Sequence, residues 1–258
     1  MMKESANTRK PAFAGSFYPA TQEAIMAHLQ KLESAVQNDQ EIQANLPAQP
    51  VSGLIVPHAG WIYSGKTAMA AYRLLKTRQP KTIVLLGPAH RTAVQTAVRD
   101  NHAFWETPLG ITSIIQDEDF EVFNPAHANE HSLEVQLPFI QYFAPKSKIL
   151  PLVVGTLTQE AVTRMASKLK EKDYFLIVST DLSHFHPLAE AHRRDAATIR
   201  HIEACDENKL EACGFHALRL AFVHLRPQNR CPHLIHYSTS AGAFGDTTSV
   251  VGYASFWI

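Results

Sequence analysis

The sequence predicts an α/β fold, a single-domain sandwich in which a mixed central sheet is covered on both faces. Three observations predict it. Short, continuous apolar runs at Val51–Val56, Thr82–Leu86, Lys148–Val154 and Tyr174–Val178 have the length and β-branched content of fully buried strands. The segments between them place apolar residues at helical spacing, as helices packed on a sheet do. Several of the strand runs stop at Gly, Pro or Ser/Thr turns carrying a histidine or a carboxylate, and the carboxyl ends of strands are where ligands bind in open α/β sheets.

Each element follows from local pattern. Ala14 to Pro19 mixes small and aromatic residues without a period and is expected to be an ordered loop. Thr21 is suited to cap a helix whose apolar positions are Ile25, Leu29, Leu32 and Val36. Asn38 to Pro50 is a polar surface connection leading to the first core strand, which hands over His58 just after Pro57. A helix from about Lys66 to Lys76 carries Ala68, Ala71, Tyr72 and Leu75 on one face, and the second core strand breaks at Gly87-Pro88 just before His90. His102 to Gly110 is a looser insert ahead of a strand at Ile111–Ile115. From Asn129 one helix, NEHSLEVQLPFIQYF, buries Leu133, Leu137, Ile140 and Phe143 and puts His131 and Glu134 on one face. Strand Lys148–Val154 and helix Thr158–Lys170 precede the strand that ends in Ser179-Thr180-Asp181-Leu182-Ser183-His184. A charged helix after Pro187 reaches Cys205, a second begins near Cys213-Gly214, and Leu234–Thr239 and Val250–Trp257 close the chain as strands.

Composition excludes several classes. A chain of 258 residues with 45% hydrophobic side chains fits one large core, with the polar residues 1–10 as a loose end. The 24 basic and 24 acidic residues leave no charge bias toward nucleic acid or an anionic membrane. No apolar run approaches the roughly 20 residues needed to span a bilayer, and the start lacks the apolar core of a signal peptide, so a cytoplasmic location is expected. Three cysteines, odd in number and without CxxC spacing, argue against a disulfide framework.

Residue chemistry then proposes a centre. Histidines at strand ends make good metal ligands because the backbone fixes their direction while the next loop leaves a position open. His58, His90 and Cys213 together would suit Fe(II), zinc or copper. The bland readings stand beside this: either imidazole could cap or pack at its strand end, and Cys213 could be a redox thiol or a buried small hydrophobe. His131 suits proton transfer or helix N-terminal packing, Asp181 suits a ligand-orienting acceptor, a base or a loop cap, and His184 suits a site residue or a structural hydrogen bonder. Glu134 is expected to be a solvated partner of His131. Phe17, Tyr18, Trp61 and Tyr63 either rim a pocket or join the core. His28, His192, His201 and His224, with Arg193-Arg194, are expected to face solvent or pack.

Taken together, AGSFY, PHAGWIYSG, LLGPAHR, NEHSLEVQLPFIQ, STDLSHF and ACGF occur in the order shown by the Memo family, also called AmmeMemoRadiSam system protein B, which this chain resembles from Ala14 to Trp257. The resemblance implies a fold similar to class III extradiol dioxygenases and a metal set at His58, His90 and Cys213, with His131 and Asp181 lining the same cavity and His184 three residues beyond. Those dioxygenases complete their iron site with a carboxylate where this chain offers Cys213, and His216 brings another nitrogen near it. Three functions are carried forward. The first is a non-haem redox protein, with Fe(II) or copper, acting with dioxygen on a small molecule or peptide. The others are a peptide- or protein-binding adaptor using the same cleft, and a zinc-assisted hydrolase with His131 as base. Radical-SAM and AMMECR-type proteins are the partners that the resemblance implies.

Overall fold

The computed structural model describes residues 7–170 and 173–258. In chain order the elements run β1 (Thr8–Arg9), α1 (Gln22–Gln37), α2 (Gln40–Ala44), β2 (Gly53–Val56), α3 (Trp61–Tyr72), α4 (Leu75–Arg78), β3 (Thr82–Pro88), β4 (Ala97–Arg99), β5 (Phe104–Thr107), β6 (Gly110–Ser113) and β7 (Glu121–Val122). They continue with α5 (Asn124–Ala128), α6 (His131–Glu134), α7 (Leu137–Phe143), β8 (Lys148–Val154), α8 (Gln159–Lys170), β9 (Phe175–Ser179), β10 (His184–His186), α9 (Leu188–Glu203), α10 (Phe215–Leu225), β11 (His233–Thr239), α11 (Ala241–Phe244) and β12 (Val250–Trp257).

The main sheet has the order β10-β12-β2-β9-β3-β8-β4-β7, with β11 also pairing β12. Its centre, β2-β9-β3-β8, is parallel, and β12 and β4 join it antiparallel, so the sheet is mixed as expected. Alternation along each central strand divides the core in two. Leu54 and Val56, Ile83 and Leu85, Phe175 and Ile177 face one cluster with Trp61, Tyr72 and Phe139. Ile55, Val84 and Leu86, Leu176 and Val178 face the other with Leu169, Ile202 and Phe222. Four parallel strands buried on both faces must be apolar at nearly every position, which is why the sequence shows unbroken runs there. No helix among the described residues is long and apolar enough to cross a membrane.

The differences from the sequence reading have local causes. Helix α3 starts at Trp61, well before Lys66, with Gly60 as its N-cap, and ends at Tyr72, with Leu75–Arg78 a separate turn. The segment read as one helix from Asn129 is broken at Val135-Gln136, because Pro138 has no N–H to donate back to Glu134 and its ring crowds that carbonyl. The break is used: the Trp61 indole donates to the freed Val135 carbonyl, and the Gln136 amide reaches the Pro57 carbonyl and Ser179 Oγ. The insert after His102 forms β5, which pairs with β6 and also with β1. The loose end expected over residues 1–10 is therefore ordered at Thr8-Arg9, where Arg9 is buried, and residues 1–6 lie outside the described residues.

Candidate metal centre

Three carboxyl ends of the parallel strands converge. His58 follows β2 by one residue beyond Pro57, His90 follows β3, and Asp181 follows β9. Since β2, β9 and β3 are neighbours in the sheet, residues far apart in sequence arrive within a few ångströms. The ring centroids of His58 and His90 lie 5.1 Å apart. His131, at the start of α6, completes the group at 5.3 Å from His58 and 4.6 Å from His90, stacked on the latter. One ring nitrogen from each of the three lies within 4.8 Å of the others, so the cluster could hold a metal ion.

Hydrogen bonds decide which nitrogens are free. Ser179 Oγ donates its one proton to the Ser132 carbonyl and accepts from Gln136 Nε2, so its 2.8 Å contact with His58 Nδ1 must be donated by the imidazole. His58 Nε2 is left as a lone pair. Likewise His90 Nδ1 donates to Glu130 Oε1 at 2.9 Å, which leaves its Nε2 as the acceptor. His131 Nδ1 is buried 3.5 Å from Glu130 Oε1 and makes no hydrogen bond of good geometry. Two oriented lone pairs with a third imidazole in reach of both are what a metal-binding donor set requires, and the residues fit such an ion.

The surroundings keep this arrangement. Burial, then the neighbouring His90, holds His58 well below the usual imidazole range. Burial, then His58, lowers His131 to about 4, so it stays uncharged at neutral pH. Glu130 is almost wholly buried; burial works to raise its pKa, but hydrogen bonding and charge from His90 and the backbone bonds of Ser132 and His90 hold it at about 2. It is therefore a fixed anion behind His90. Asp181 Oδ1 accepts from the His58 backbone amide at 2.7 Å, and burial pushes its carboxyl up.

The site residues named from sequence are thus largely assembled. His58, His90 and His131 form the donor cluster, so His131, assigned there to proton transfer, stands among the possible ligands. Cys213 Sγ lies 3.2 Å from His58 Nε2 and accepts from the Asp181 amide at 3.1 Å. Burial and the Asp181 charge push its thiol pKa up. Asp181, His131 and His184 line a cavity of about 660 Å³ beside the cluster. His184 Nδ1 donates to the Leu182 carbonyl at 2.8 Å, leaving Nε2 for a ligand. His216 lines a smaller cavity with Cys213, where its Nδ1 meets the Leu157 amide, and stands apart from the three-histidine cluster.

Glu134 is the correction. It is fully buried and points away from solvent, accepting from Arg9 Nη1 at 2.7 Å, from the Ala12 and Phe13 amides and from the Tyr18 hydroxyl. It ties residues 9–18 down over α6, which places Phe17 4.6 Å and Phe13 5.7 Å from the His131 ring. Of the four aromatics, Tyr18 and Trp61 join the core whereas Phe17 and Tyr63 line the cavity. Glu130, Ser179 and Gln136 were missed: none carried a periodic signal, and Glu130, the N-cap one residue before His131, takes its role from the distant His90.

A family model described as Memo-like protein matches residues 9–257. The chain belongs to the Memo family. A MEMO1 family protein of Methanobrevibacter smithii is 33% identical to it, covering 96% of this chain and 98% of the relative. MEMO1 family proteins of Nitrosopumilus maritimus and Caldivirga maquilingensis are 30% and 32% identical over the same shares. The Memo match embraces every residue of the centre, from Arg9 beneath the loop to Cys213.

Proposed function

We propose that this Memo-family chain is a metal-dependent redox enzyme that acts with dioxygen, with Fe(II) as its ion and copper as the alternative; zinc at the same site would suit the hydrolase reading instead. The observation that carries the reading is the donor set itself: His58 and His90 with their lone pairs fixed by Ser179 and Glu130, and His131 within reach of both and lining the cavity. These three imidazoles would hold the ion, with Cys213 joining beside His58. When bound there, iron or copper supplies one-electron chemistry toward dioxygen.

The protein's own groups have separable tasks. Ser179 and Glu130 orient the imidazoles, and the Asp181 carboxylate anchors the backbone that carries His58. Asp181 Oδ1 is already engaged by the His58 amide, so Oδ2 is the atom that can accept a hydrogen bond or a proton from a ligand. His184 Nε2 can accept a hydrogen bond that fixes the ligand's orientation. Phe13 and Phe17 shield the His131 ring from water. A cytoplasmic setting, with partners of the radical-SAM and AMMECR type, belongs to this proposal.

Oxygen uptake tests it. Protein loaded anaerobically with Fe(II) and then mixed with aerated buffer is expected to consume oxygen faster than the same iron free in solution, and His58→Ala is expected to abolish the difference. Bound iron that consumes no oxygen would overturn the redox reading. Peptide binding by the metal-free protein would then favour an adaptor, a reading for which exposed Ile62, Phe185 and Phe244 speak.

A further inference from the structure

The cavity beside the three histidines has a composition of its own. We propose that it binds an organic cation, a primary ammonium carried on an aromatic or alkyl body, and this assignment rests on reading the cavity as the substrate entrance to the proposed centre.

Charge is the first argument. Among the described residues lining the cavity there is no lysine or arginine, and the carboxylates present are Asp181 near its floor and Asp246, exposed at its edge. The Thr248 amide and hydroxyl both bond Asp246 Oδ1, holding that carboxylate in place and leaving Oδ2 for a ligand. The Tyr63, Tyr253, Ser240 and Ser249 hydroxyls that also line the cavity can accept as well as donate. His184 offers Nε2, while the Ser16 hydroxyl already donates to the Phe13 carbonyl. A carboxylate or phosphate entering here would meet two carboxylates and no lysine or arginine, whereas an ammonium with three N–H donors would find acceptors.

The rings are the second argument. Phe17, Tyr63, Phe185 and Phe244 line the same space, with Tyr63 and Phe244 edge to face at 5.5 Å. Phe185 and Phe244 are 76% and 69% exposed, an arrangement that leaves two phenyl groups in water unless something covers them. Phe185 also holds a left-handed backbone, φ 61°, which costs a bulky residue on the order of 1 kcal/mol or more. Aromatic faces attract organic cations and bury their apolar bodies at once. A volume of about 660 Å³ falls within the range of small-molecule sites.

Calorimetric titration of chelator-treated protein with 2-phenylethylammonium, 2-phenylethanol and phenylacetate at neutral pH tests the assignment. The three probes share a ring and differ chiefly in charge. The ammonium is expected to bind at least about tenfold more tightly than phenylacetate, the scale of one cation–π contact with an ion pair. Asp246→Asn is expected to shrink that preference severalfold without changing the alcohol's affinity, since the asparagine oxygen can still accept from Thr248. Phe244→Ala is expected to weaken all three. Phenylacetate binding as tightly as the ammonium, or no binding of the ammonium, would overturn the proposal. Metal content is measured separately on untreated protein, so a failed cation preference with retained metal sinks this inference alone, and a retained preference without metal sinks only the redox reading.

Discussion

Replacing Glu134 with alanine is expected to cost about 3–5 kcal/mol of unfolding free energy, the scale for stripping one partner from a buried ion pair. The carboxylate and the Arg9 guanidinium are both removed from solvent, and among the described residues Arg9 pairs with no second anion. Its remaining bonds run to the His127 and Ala128 carbonyls, and its charge lies over the Trp105 ring at 4.4 Å. The alanine variant would leave a buried cation and also free the Ala12 and Phe13 amides and the Tyr18 hydroxyl. Urea unfolding measures the loss. A change under about 1 kcal/mol, the worth of an exposed pair, would contradict the buried description. The same variant should loosen residues 9–18 and expose the His131 ring, visible as faster hydrogen exchange in that segment.

Glu130→Gln is expected to lower metal affinity by about 10–100-fold, as loss of a carboxylate behind a ligating histidine does. Glu130 accepts from the His90 amide, His90 Nδ1 and the Ser132 amide, and its depressed pKa keeps it an acceptor at every oxygen. Glutamine has one acceptor oxygen where two are needed, and its amide would face the donors already there. His90 would lose the bond that sets its tautomer, and with it the direction of Nε2. Calorimetric titration with zinc, which needs no anaerobic handling, reads the effect. Unchanged affinity would show that His90 is held by something else.

The parallel centre of the sheet was legible because burial on both faces forces β2, β3, β8 and β9 to be apolar throughout, a pattern with no helical rival at that length. The strand ends at His58, His90 and Asp181 followed, since a Gly, Pro or Ser/Thr turn marks where each run stops. Short outer strands such as β4, next to the sheet's edge, and β7, at it, carry only three and two residues and mixed polarity, too little for any period to show. The break in the α6–α7 segment was written at Pro138, but the apolar spacing of Leu133, Leu137 and Ile140 continues across it and masked the interruption. Glu134 and Arg9 were unreadable for a different reason. Each looks like an ordinary surface charge until the fold brings together residues 125 positions apart. Glu130 likewise acquires its role only when His90 arrives from β3. The two carboxylates that organise this centre were thus hidden by long-range pairing, while its imidazoles were announced by local sequence.

The most direct measurement is metal stoichiometry by elemental analysis after anaerobic loading with Fe(II) and desalting, on the wild-type chain and on His58→Ala, His90→Ala and His131→Ala, each checked for native unfolding behaviour. One ion per chain in the wild type, and a well-folded loss of that ion in all three variants, is the predicted result. A wild-type chain that retains no ion, or a histidine variant that retains a full one, would contradict it.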